Sequence, residues 1–182
     1  MDIKRMVDAF PRKGGPQEGM TVPAYTVWGE NVNPDSVLCE HPRPQFARQS
    51  IQMLHGWWDY AFVDTDNAAS EWSDGIAPTS YDGKILVPFA PEAPLSGVGR
   101  VLQPDQLLVY HRQFAAPELG DDDICLLHFD AVDYECDCYL NGKSLGTHVG
   151  GYLPFSFDIT NQLKPGVNEL HVVVFDPTEK GT

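Results

Sequence analysis

Residues 131–160 read AVDYECDCYLNGKSLGTHVGGYLPFSFDIT, and the fold of the whole chain can be worked out from them. Val132, Tyr134, Cys136, Cys138 and Leu140 alternate with Asp133, Glu135, Asp137 and Tyr139. A period of two puts the first set on one face of a strand and most of the charge on the other. Asn141-Gly142 supplies the two positive-φ positions of a type I′ hairpin turn. With that turn, Leu140 faces Lys143, Cys138 faces Leu145 and Tyr134 faces Val149. The inward sets of both strands then coincide, so one register satisfies turn and core together. Gly150-Gly151 ends the return strand, and Pro154, Phe155 and Phe157 begin a third extended segment.

Outward from this hairpin the same period recurs. Trp58, Tyr60 and Phe62 alternate in a first core strand. Residues 85–89, ILVPF, form a short apolar strand stopped at Pro88. Residues 107–114, LLVYHRQF, alternate again, and 124–130 are apolar on both faces, as in the middle of a sandwich. Downstream, Lys164-Pro165-Gly166 is a turn and 170–175 the last strand. About eight short strands at roughly ten-residue spacing predict an all-β sandwich. Residues 1–25 show no period and read as an irregular arm. Pro42 and Pro44 keep their neighbourhood irregular, and 65–81 is a polar loop holding Trp72.

The 182 residues suffice for one domain with a core of its own over 26–182. The formal charge is −14, which argues against a nucleic-acid partner, since phosphate binding needs basic patches. No run approaches the roughly 18 apolar residues that span a bilayer, so no membrane partner is expected. The first residues are basic but lack the apolar core of a secretory signal. Cys39, Cys125, Cys136 and Cys138 read as free thiols. Three of the four fall inside apolar strands, where a thiol packs as a small hydrophobe. Reduced cysteines suggest a cytoplasmic location. No Ser-His-Asp elbow, phosphate loop or dinucleotide fingerprint is present, and no cofactor is expected.

The motifs along this stretch resemble those of the N-terminal sugar-binding domain of glycoside hydrolase family two, which includes β-galactosidases, β-glucuronidases and β-mannosidases. They are Val132-Asp133-Tyr134, Asn141-Gly142-Lys143, the run from Gly146 to Phe155, and Asp158-Ile159-Thr160. The Pro-Arg-Pro-Gln of 42–45 and the Leu-x-Gly-x-Trp of 54–58 extend the likeness upstream. His55 and Tyr60 stand where Asn and Phe are common. The resemblance implies a jelly roll and a carbohydrate substrate. It also implies that Asp176-Pro177-Thr178 leads on to an immunoglobulin-like domain and a catalytic barrel, so that the chain is a fragment of a longer glycosidase and its partners include that protein's other domains.

Glycoside hydrolysis needs two carboxylates flanking one bond. The family carries its pair on the barrel, so no catalytic residue is expected here. Asn168-Glu169 matches the family's acid/base dipeptide but opens a strand after Pro165-Gly166, which makes it structural. The best candidate ligand loop is 88–100, PFAPEAPLSGVGR, where prolines and glycines limit chain entropy and Glu92, Ser96 and Arg100 can bind hydroxyls. In the family the loop after the Val-Pro strand points toward the barrel's mouth. His148 is carried as a further carbohydrate contact, beside the packing role its flanking glycines favour. Asp121-Asp122-Asp123 reads as a solvated turn, and neither it nor His128 or His171 is expected to hold metal. Trp57, Trp58 and Trp72 have rings that can stack on sugars, and Trp58 is in phase with the core. Two other functions fit the same strands: an autonomous carbohydrate-binding module, marked by an exposed aromatic platform, and a purely structural domain, marked by an exposed apolar patch without a polar cleft.

Overall fold

The computed structural model describes residues 25–39, 50–65 and 78–176. The described residues fall into two compact units. The larger comprises 59–65, 78–83 and 102–176; the other comprises 25–39, 50–58 and 84–101. The readings placed on the arm, on Pro42 and Pro44, on Trp72 and on 177–182 lie outside the described residues. Among the described residues no helix is long and apolar enough to cross a membrane.

Among the described residues eight strands carry the fold: β1 (Gly56–Asp64), β2 (Gly83–Val87), β3 (Gln106–Ala115), β4 (Leu126–Phe129), β5 (Glu135–Leu140), β6 (Lys143–Val149), β7 (Phe155–Asp158) and β8 (Val167–Phe175). In the larger unit β1, β3, β8, β5 and β6 lie side by side in that order, each pair antiparallel. β4 and β7 form a separate antiparallel pair. This is the expected all-β sandwich. Its two sheets meet where Gly146 of β6 comes up against the Phe157 ring and His148 stacks on Phe155.

The middle strands are buried on both faces. Leu107 and Val109 point one way and Leu108 the other, and β8 is buried from Leu170 to Phe175. One face joins Ala61, Val63, Leu107, Val109, Tyr139, Val173 and Phe175 into a cluster. The other carries Leu108, Val172, Val174, Cys136, Cys138 and Leu140. Each such side chain contributes about 1.5–3 kcal/mol.

Several strand expectations need correction. β5 does not expose its charged face: Glu135, Asp137 and Tyr139 are buried along with Cys136, Cys138 and Leu140. The Tyr139 face packs with Val173 and Phe175 in one cluster and the other face carries Cys136, Cys138 and Leu140, so both faces of β5 take part in packing. Tyr134, expected inward, is exposed. In β1 the buried phase passes from Trp58 to Ala61 and Val63, leaving Tyr60 and Phe62 half-buried. In β4 only Leu127 is buried, and Ile124 and Leu126 are exposed, so this strand is not in the middle of a sheet.

The hairpin turn itself forms as expected, with Asn141 at φ 53°, Gly142 at φ 78° and Leu140 opposite Lys143. Beyond the turn the register slips by one. Tyr139 faces Ser144 but Cys138 faces Gly146, leaving Leu145 as the extra residue of a bulge. Cys136 then faces His148, and Val149 faces Glu135 rather than Tyr134. A one-residue slip moves every later side chain to the opposite face. His148 is thereby carried to the face of Cys136 and Cys138 and onto the second sheet.

Candidate functional site

The loop after β2 is a chain of tight turns. Phe89 N–H donates to Leu86 O (3.0 Å), Ala93 N–H to Ala90 O (2.9 Å), and Arg100 N–H to Pro91 O (3.0 Å). Pro94, with its fixed φ, starts a 3₁₀ turn, Pro94–Ser96. Gly97 ends that turn at φ 80°, a left-handed conformation that favours glycine. Ser96 is fully buried. Its hydroxyl donates to Pro91 O at 3.2 Å and accepts from Val98 N–H at 3.0 Å, which ties both ends of the loop together. Glu92 is half-buried and Arg100 exposed. The loop is therefore preorganised, with a carboxylate and a guanidinium at its surface and Ser96 as its internal tie.

His148 belongs to the other unit. Its ring lies parallel to Phe155, centroids 4.0 Å apart, and Nε2 is 3.0 Å from Gly150 O, to which it donates. Phe155 stacks in turn on Phe129 at 4.8 Å. The histidine thus packs in an aromatic row between the sheets while closing the Gly150 turn.

A polar group that the sequence reading did not assemble crosses the larger unit's sheet. Register places Asp59 opposite His111, His111 opposite His171, and His171 opposite Tyr139. His111 Nδ1 donates to Asp59 Oδ2 at 3.1 Å. The two imidazoles stack with centroids 4.6 Å apart, and Tyr81 stacks on His111 at 5.1 Å. The Tyr81 hydroxyl is 3.0 Å from His171 Nε2. Burial, and then His111, pull the His171 pKa down from 6.5 to about 4. Burial, and then the charge on Asp59, push Tyr81 up to about 12. His171 is therefore neutral at pH 7, and Tyr81 donates to it. The only advance signal was a histidine at an in-phase position of two separate strands, and their pairing was not readable from either.

This arrangement makes acid stability testable. Between pH 6.5 and about 4 the unfolded chain binds a proton at His171 that the folded chain refuses. The contribution is complete above pH 6.5 and is lost as pH falls toward 4. The melting midpoint should drop across that window, and His171→Gln should flatten the drop. An equal slope in the variant would assign it to other groups.

Asp137 is a second buried polar residue. One of its oxygens accepts from the Thr147 hydroxyl, and Oδ2 has no hydrogen-bond partner among the described residues. Burial raises its pKa against the opposing effect of that bond. All four cysteines are free, Cys136 and Cys138 fully buried and Cys39 exposed. Among the described residues no three His, Cys, Asp or Glu side chains are placed to hold a metal ion. In the acidic turn, Asp123 Oδ2 accepts from Gly120 N–H at 2.8 Å. Asn168 is fully buried and Glu169 exposed, with Gln113 Nε2 donating to Glu169 Oε1 at 3.1 Å.

Residues 102–182 match the family model described as glycosyl hydrolase 2 galactose-binding domain-like. The chain is similar to β-galactosidase BoGH2A of Bacteroides ovatus, 31% identical over 97 residues, which are 53% of this chain and 11% of that protein. It is also similar to a β-galactosidase of Thermoanaerobacter pseudethanolicus, 39% identical over 57 residues, 31% of this chain and 8% of that protein. Among solved structures, a β-glucuronidase from an uncultured Clostridium sp. superposes with a TM-score of 0.57 at 26% identity, covering 71% of this chain and 23% of that one. The β-glucuronidase of Bifidobacterium dentium complexed with coumarin-3-O-glucuronide gives a TM-score of 0.52 at 36% identity, over 67% and 19% respectively. This chain spans only a small part of the length of each of these proteins.

Proposed function

From the premise that residues 102–182 carry the galactose-binding-like domain of glycoside hydrolase family two, we propose that the chain is the non-catalytic N-terminal part of a β-glycosidase, with loop 88–100 completing its sugar pocket. The observation that supports this most is the loop's internal bonding. The Ser96 hydroxyl and the Pro91–Arg100 backbone bond tie its turns together. A preordered loop presents Glu92 and Arg100 at a small entropic cost on binding. Contacts of this kind act on the sugar away from the reacting carbon, where they supply binding and orientation. The chemistry itself would reside in another domain of the longer protein. Within the larger unit, Val149, Tyr152 and Leu153 are exposed at the connection from β6 to β7, and they offer an apolar surface for such a domain.

The test is Glu92→Ala in the full glycosidase. It should lower kcat/KM by about tenfold, or ~1.4 kcal/mol, and leave the melting midpoint nearly unchanged. Full activity on β-galactosides and β-glucuronides alike would make the loop a spacer and leave the domain a structural support.

A further inference from the structure

We infer that Trp57 and Trp28 form an aromatic platform that stacks on a β-linked pyranoside in this chain alone. The inference deepens the reading of loop 88–100 as sugar-facing and rests on it. The paired tryptophans of β1 have different fates. Trp58 is buried, and its Nε1 donates to Leu54 O at 2.7 Å, so it belongs to the packing. Trp57, one position earlier in a period-two strand, is 41% exposed. Its ring edge lies over the backbone of Gly97: a Cβ there would stand 3.6 Å from Cη2 and 3.7 Å from Cζ3. The ring therefore rests on the part of the loop that Ser96 ties down.

Trp28 is 79% exposed and also stands on a bonded turn. Glu30 N–H donates to Thr26 O at 2.9 Å, Asn31 N–H to Trp28 O at 3.1 Å, and Asn31 Nδ2 to Val27 O at 2.6 Å. Gly29, its neighbour, packs against Leu95 of the 3₁₀ turn: a Cβ there would stand 3.6 Å from Leu95 Cδ1. Two large exposed indoles thus stand at this turn, Trp57 over Gly97 and Trp28 next to the Gly29 that packs on Leu95. Rings held in this way lose little freedom on binding. The C–H face of a β-pyranoside is the complementary apolar surface, and Glu92 and Arg100 lie in the same loop for its hydroxyls.

The experiment uses the ¹H–¹⁵N spectrum of the uniformly labelled chain, whose four tryptophans give four indole signals. Methyl β-galactoside and methyl β-glucuronide are titrated to roughly tens of millimolar, with sucrose as the control. The Trp57 and Trp28 signals should move with one common Kd while Trp58 stays. Trp57→Ala should weaken binding at least about tenfold, and Trp57→Phe should retain most of it at an unchanged melting midpoint. Movement of the Glu92 or Arg100 amides without Trp57 would overturn the platform and leave the loop reading standing. A Trp57 signal that follows protein concentration rather than sugar would make the platform a protein contact, and the inference would fail. No movement with either glycoside would also overturn it, with the loop reading judged separately by Glu92→Ala turnover.

Discussion

Replacing Asn168 by alanine is expected to destabilise the chain by about 3 kcal/mol, the sum of partners left unmet at one buried site. Asn168 is fully buried at the start of β8. Its Oδ1 accepts from Lys164 N–H and from Asn141 Nδ2, each at 2.8 Å. Its Nδ2 donates to Lys164 O at 2.9 Å. Asn141 in turn accepts from Glu169 N–H at 3.1 Å and donates to Gln162 O at 2.9 Å. One amide therefore ties the hairpin turn, the 164–166 turn and the first residues of β8. Alanine leaves a donor and an acceptor of Lys164 without partners and removes one of the bonds that hold Asn141. For a domain of this size the melting midpoint should fall by roughly 10 °C. Glu169→Ala, one residue along and exposed, should stay within about 0.5 kcal/mol. If the two variants melt alike, the Asn168 network is not what holds these turns.

Gly146→Val should cost a similar amount, about 3 kcal/mol, from two sources. Gly146 sits at φ 138°, where a β-branched residue is strained. A Cβ there would also lie 3.0 Å from Phe157 Cε1, so the ring must yield. The position is the hinge of the bulge that turns His148 onto Phe155. The variant should therefore also shift the His148 ring resonances, which stacking on Phe155 displaces. Gly142→Ala is the comparison: its φ of 78° is strained but a Cβ meets nothing within 4 Å, so the loss should be nearer 1 kcal/mol. Equal losses would mean that backbone strain alone matters and that contact between the sheets at Phe157 contributes nothing.

The turn, the strands and the family motifs were readable because each is local. Asn141-Gly142 demands positive φ whatever surrounds it, and its φ values of 53° and 78° follow. Pro88 lies just beyond the last residue of β2, and Pro94 opens the 3₁₀ turn of the loop, because proline restricts the backbone at its own position. The strand start at Asn168-Glu169 was readable for a similar reason: Pro165-Gly166 turns the chain just before it, and Asn168 is engaged in turn closure.

Faces and partners were a different matter. Alternation predicts which side chains share a face, but not whether the other face is also covered. The face that Glu135 and Asp137 share with Tyr139 is packed as well, so both are buried against expectation. Among the described residues β4 is paired only with β7, and Ile124 and Leu126 are exposed despite being apolar. A bulge adds one residue at Leu145 without any turn signature, and that single residue decides that His148 packs inward. The stack of Asp59, His111, His171 and Tyr81 depends on the long-range registers of β1 with β3 and of β3 with β8. By itself, then, the sequence determined the all-β class, the hairpin turn, the ordered loop and the family resemblance, since each is encoded within a few consecutive residues. Only the tertiary structure decided which charged groups are buried, which apolar strand residues are exposed and which histidines touch, because those outcomes depend on pairings between segments far apart in the chain.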